Sequence, residues 1–146
     1  MEKKDILLVA LYASNGVPLG PVQVQKLLFL IDREISELVG GPFFNFQPYN
    51  YGPFDKSVYE ELEQLAIKGK VEITSVQKWK TYRLTKSGQE EGKKLYDDLS
   101  PKAKKYIKEA SEFVRRKSFN ELVAAIYQKY PEMRALSKFS ETDINN

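Results

Sequence analysis

Val71-Glu72-Ile73-Thr74-Ser75-Val76-Gln77-Lys78-Trp79-Lys80-Thr81-Tyr82-Arg83-Leu84 is the stretch on which the fold turns. Val71 and Ile73 alternate with Glu72 and Thr74, and Tyr82 and Leu84 alternate with Thr81 and Arg83. That period of two predicts a pair of half-buried strands joined by a polar connection, with Gln77-Lys78-Trp79-Lys80 at its tip.

Working outward, the flanks have helical spacing. Upstream, Asp55 can cap a helix whose buried stripe is Val58, Leu62, Leu65 and Ala66 and whose left-handed stop is Gly69. Before it, Gly20-Pro21 opens a longer helix in which Val24, Leu27, Leu28, Ile31, Ile35 and Leu38 recur until Gly40-Gly41 ends it. A first helix is predicted from about Lys4 to Ser14, stopped by Asn15-Gly16. Between the second and third helices, prolines and glycines from Gly41 to Pro53 let neither helix nor strand run far. Downstream, Thr85 caps a helix to about Leu99, and Ser100-Pro101 starts another with Ala103, Tyr106, Ile107, Ala110, Phe113 and Val114 on one face. Ser118 and Glu121 have capping-box spacing and begin a last helix running to Pro131.

Three helices followed by a hairpin is the order of a winged helix. The expected fold class is α+β, mostly helical: a winged-helix domain over residues 1–99, a helical extension over 100–139 packed on it, and a frayed tail over 140–146.

Composition narrows the function more than any motif does. The chain of 146 residues, 42% hydrophobic and 29% charged, has the balance of an ordinary globular protein, and no apolar run approaches a membrane span. It contains no cysteine and no histidine, which removes thiolate nucleophiles, Cys-based metal sites and the usual general base together. Adjacent acids such as Glu60-Glu61 and Asp97-Asp98 point to different sides of a helix, so no convergent carboxylate pair is evident. No enzyme activity, cofactor or metal is expected.

The net charge of +3 is small, but its distribution is uneven. Residues 68–86 set six basic side chains against Glu72 alone, and residues 102–117 set seven against Glu109 and Glu112. The hairpin tip could therefore contact phosphates through Lys78, Trp79, Lys80 and Arg83, or it could be a solvated hairpin with its Trp folded back. The third helix argues against base reading: its outer positions include Glu60, Glu61, Glu63 and Gln64, and more than ten residues separate it from the second helix.

The densest feature is aromatic. Phe43, Phe44, Phe46, Tyr49, Tyr51, Phe54 and Tyr59 cluster in and beside the loop. They either close the core from beneath the loop or form a partly exposed patch that anchors a protein partner; Phe43, Phe44, Tyr49, Tyr51, Phe54 and Tyr59 are the candidate contacts.

Gln25-Lys26-Leu27-Leu28-Phe29-Leu30, Gly41-Pro42-Phe43-Phe44 and Tyr51-Gly52-Pro53-Phe54 with Val58-Tyr59 resemble the SocA-like, or Panacea, antitoxin domain family over about residues 22–66. The chain differs in having Pro48-Tyr49-Asn50 where a tryptophan commonly precedes the Tyr-Gly-Pro. The resemblance implies a non-catalytic binding or regulatory module of a prokaryotic cytoplasm, contacting a protein partner such as a toxin. A DNA-binding regulator using the basic wing is the alternative. The amphipathic helix from Pro101 to Lys117 could also pair with a copy of itself to give a homodimer.

Overall fold

In a computed structural model, which describes residues 1–138, the chain is α+β and mostly helical. The expected frayed tail over 140–146, and residue 139, lie outside the described residues. The helices are α1 (Lys3–Tyr12), α2 (Pro21–Glu34), α3 (Ser36–Val39), α4 (Lys56–Ile67), α5 (Lys86–Asp97), α6 (Pro101–Arg116) and α7 (Phe119–Lys129), with a 3-10 turn at Pro131–Arg134. Two antiparallel hairpins complete the chain: β1 (Gln47–Tyr49) with β2 (Gly52–Phe54), and β3 (Val71–Val76) with β4 (Trp79–Leu84).

The core forms around α1 and α2 because both are apolar over most of their circumference. Ile6 to Leu11 of α1 and Val24 to Asp32 of α2 are all buried, so neither helix has a solvated face along those stretches. A fully buried aliphatic side chain contributes roughly 1.5–3 kcal/mol. α6 and α7 enlarge this core, inserting Ala103, Ile107, Val114, Leu122, Val123 and Ile126 into the same cluster. α5 lies against α1, β4 and the Lys70 backbone just ahead of β3. It can do so because Gly88 carries no side chain: a Cβ there would overlap the Lys70 carbonyl oxygen.

Capping explains most boundaries. Asp55, Thr85, Ser100 and Ser118 each accept a backbone N–H of the helix that follows, and Ser118 with Glu121 forms the expected capping box. Gly69, at φ +75°, follows the end of α4.

Three expectations need correction. The second helix does not run to Gly40: it breaks at Ile35, whose φ of −131° is not helical, and α3 follows as a single turn. Leu38 is consequently exposed and Val39 takes the buried place. The β3–β4 connection is the two-residue turn Gln77-Lys78, with Gln77 at φ +57°, so Trp79 and Lys80 belong to β4 rather than to the tip. Phe113 lies at the margin of the α6 stripe and is partly exposed, while Ser111 is buried in that stripe and donates to the Ala13 carbonyl.

Leu19, between α1 and α2, bridges Tyr82 of β4 through mutual backbone hydrogen bonds of 2.8 and 2.9 Å. This ties the second hairpin to the α1–α2 connection. Val71, Ile73, Tyr82 and Leu84 face the body, as their alternation predicted.

Candidate functional site

The aromatic loop rests on polar side chains that rise from α2. Gln25 sits in the buried run of α2, where an unmet amide would be costly, and both ends of its amide are used. Its Nε2 donates to the Asp55 carbonyl at 2.9 Å, and its Oε1 accepts the Asp55 N–H at 3.0 Å. Two turns along, Asp32 accepts the N–H groups of Phe43 and Phe44, one on each carboxylate oxygen at 2.8 Å. Burial raises the Asp32 carboxyl above its ordinary pKa, and the two amides pull it the other way. Asp55 closes the frame, accepting Asn45 N–H at 2.7 Å and Ser57 N–H at 2.8 Å. Burial opposes its ionisation, but these hydrogen bonds outweigh it and hold Asp55 below the usual carboxylate range.

Lys26 completes the support under the Tyr51-Gly52-Pro53 turn. Only 3% of it is exposed, and its Nζ donates to the Pro53 carbonyl at 3.5 Å, a long contact. Burial lowers its pKa from 10.5 to about 7. Gly52 adopts φ +106°, a conformation side-chain-bearing residues rarely hold, and a Cβ there would lie 3.1 Å from Lys26 Nζ.

On this frame the candidate aromatics divide into two groups. Phe43 and Phe44 are half-buried and packed on the core, with Phe44 against Phe46 and Phe46 edge-on to Phe29. The second group forms a row across the surface: Tyr49 stacks on Phe54 at 4.9 Å, Phe54 meets Tyr59 at 5.7 Å, and Tyr59 stacks on the buried Tyr82 at 6.4 Å. Burial pushes the Tyr59 hydroxyl up to about 12, against a hydrogen bond from Gln25 that lowers it, so the ring stays neutral. Tyr49 and Tyr51 are 49% and 40% exposed, and Tyr51 lies edge-on to Phe119 at 5.2 Å. The loop thus both closes the core and leaves an aromatic face outside.

The hairpin residues do not form a single surface. Register pairs Val76 with Trp79 and Glu72 with Arg83, placing those four on the side away from the body, whereas the alternation puts Lys80 on the opposite side. Trp79 is 70% exposed and does not fold back. Arg83 is engaged by Glu72 at 3.1 Å, leaving Lys78 and Lys80 as the exposed cations near the turn. Beside this hairpin, α4 presents Glu60, Glu63, Gln64 and Ile67 to solvent.

Sequence reasoning missed Gln25, Lys26 and Asp32 as the supports, and Phe119 as a neighbour of the loop. A signal existed for the first three, since polar residues inside an otherwise apolar buried helix must find partners, and a loop rich in backbone donors was nearby. Phe119 carried no such signal; it reaches the loop only because α7 begins beneath Tyr51.

Among the described residues, no group of three His, Cys, Asp or Glu side chains could hold a metal ion, and no helix is long and apolar enough to cross a membrane. A family model described as antitoxin SocA-like, Panacea domain matches residues 24–131, more than half of the chain. The match takes in the α2 supports, the aromatic loop, the second hairpin and α5 to α7. No curated protein and no solved structure matches the chain.

Proposed function

The chain belongs to the antitoxin SocA-like, Panacea domain family, and from that premise we propose that it is a non-catalytic, antitoxin-like or regulatory module of the cytoplasm that docks a protein partner on its aromatic face. Tyr49, Tyr51, Phe54 and Tyr59 supply the contact, and Phe43 and Phe44 fix the loop from below. One observation carries this reading: Tyr49 and Tyr51 stay nearly half exposed on a loop whose backbone is clamped by Gln25, Asp32 and Asp55. Rigid exposed aromatic side chains lose little entropy on binding and are favoured as interface anchors. A toxin is the class of partner that the family suggests.

We also propose that the fold is a winged helix. Its support is the order α1, α2, α4, β3–β4 and the Leu19 bridge, which gives β4 a second neighbour as a three-stranded wing would have. On that reading residues 1–99 are the winged-helix unit and residues from 100 onward a helical extension sharing its core. The alternative, DNA binding through Lys78, Trp79 and Lys80, is favoured by their exposure at the hairpin end. It is opposed by α4, which would turn Glu60 and Glu63 toward phosphates. A homodimer through α6 and α7 would have to use their outer sides, since Ala103, Ile107, Ala110 and Val114 are buried within the chain.

Affinity purification from the native host, with and without nuclease, tests the choice. The protein-docking reading expects a protein retained after nuclease and lost in Tyr49→Ala/Tyr51→Ala but kept in Lys78→Ala/Lys80→Ala. Retention of nucleic acid alone, or loss in the lysine variant only, would overturn it.

A further inference from the structure

Lys26 is a buried amine with one distant acceptor among the described residues. Nζ of a lysine carries three donors when charged, yet the nearest carbonyl, that of Pro53, stands at 3.5 Å. In the same turn the Asn50 carbonyl accepts Lys138 N–H at 2.8 Å and the Ser137 hydroxyl at 3.3 Å. Gly52, with φ +106°, lies against Lys26 Cε and Nζ and leaves no side chain between the amine and the turn.

Among the described residues, the neighbouring elements offer Lys26 no compensating charge. From α7, Tyr127 shares the space over Gly52; its hydroxyl is bonded to Ser137 and its ring lies under the Arg134 guanidinium. From the 3-10 turn, Glu132 is paired with Arg33 at 2.9 Å. Asp55, just beyond β2, is aimed at Asn45 and Ser57, with Lys3 acting on it. On α2 the adjacent Gln25 is uncharged, and Asp32 is aimed at Phe43 and Phe44. No acid pairs with Lys26 among the described residues, so burial acts on it unopposed.

We propose that Lys26 makes the Tyr-Gly-Pro turn proton-sensitive: the turn closes over the neutral amine, and uptake of a proton at Nζ opens it to water and frees Tyr51 from Phe119. Among the described residues an ammonium ion in this place meets no anion and too few carbonyls, and the element directly above it is a two-residue turn between three-residue strands. The consequence for binding, weaker docking at lower pH, rests on the aromatic face being the docking surface; the switch itself does not.

The test uses the isolated full chain and NMR. The Lys26 13Cε resonance should titrate with a midpoint near pH 7. Protection of the amides of Tyr51, Gly52 and Phe54, corrected for intrinsic exchange, should fall about tenfold per pH unit on going down toward pH 7. Lys26→Met should remove that dependence while the protection of α1 amides is unchanged. If Lys26→Met does not fold, the wild-type titration still decides. A Lys26 midpoint near 10.5, or turn protection independent of pH, would overturn the proposal. Failure to find a protein partner would bear only on the docking role of the aromatic face, since no partner enters this measurement.

Discussion

Replacing Asp32 by alanine should loosen the aromatic loop at a cost that can be worked from its two hydrogen bonds. Its carboxylate holds Phe43 and Phe44 N–H at 2.8 Å each, on a side chain that is itself buried. A hydrogen bond to a charged group contributes about 1.5–3 kcal/mol net, and a buried donor left unmet costs a similar amount. Both bonds are only part-buried, so water can reach the freed amides, and burial already works against the charged carboxylate. The lower end of each range therefore applies, giving about 2–4 kcal/mol for Asp32→Ala. Asp32→Asn keeps one acceptor and should lose about half of that. Urea unfolding followed by far-UV circular dichroism measures the global part, because Trp79 is too exposed to report on the core. Hydrogen exchange at the Phe43 and Phe44 amides measures the local part. Asp32→Ala within about 0.5 kcal/mol of wild type, the range of an indifferent surface change, with unchanged protection at those amides would refute the clamp.

Other expectations follow from the same contacts. Lys26 has a folded pKa of about 7 and an unfolded value near 10.5, so between these the unfolded chain binds the extra proton; unfolding free energy should rise by up to roughly 1.4 kcal/mol per pH unit above pH 7 and be flat below it. Denaturation of Lys26→Met from pH 6 to 9 should lack that slope, and parallel curves would contradict the assignment. Gly88→Ala forces a methyl group into the Lys70 carbonyl and should destabilise by at least ~3 kcal/mol or fail to fold, as thermal melts would show. Ser118→Ala removes the cap of α7 and should cost ~0.5–2 kcal/mol by urea titration.

The features that were legible in the sequence are those governed by local rules. The caps at Asp55, Ser100 and Ser118 and the alternation in β3 and β4 each follow from a few neighbouring residues, and each falls where the sequence placed it. The break at Ile35 was hidden because the apolar spacing continues through it, and spacing does not record a single non-helical dihedral. The candidate site was half legible. Its aromatics stood out as a cluster, but which ones turn outward depends on Asp32 and Gln25 meeting backbone amides some 11 to 30 residues away, a tertiary arrangement that periodicity does not encode. The hairpin set looked like one patch because the residues are consecutive or nearly so; strand alternation then sends Trp79 and Lys80 to opposite sides.

The central claim, that the aromatic loop is the docking surface, is tested most directly by photo-crosslinking in the native host with a benzophenone side chain placed at Tyr51, at Tyr49 or at Trp79. The account predicts a discrete protein adduct from positions 49 and 51 and none from position 79. Adducts from position 79 alone, or adducts to nucleic acid, would contradict it.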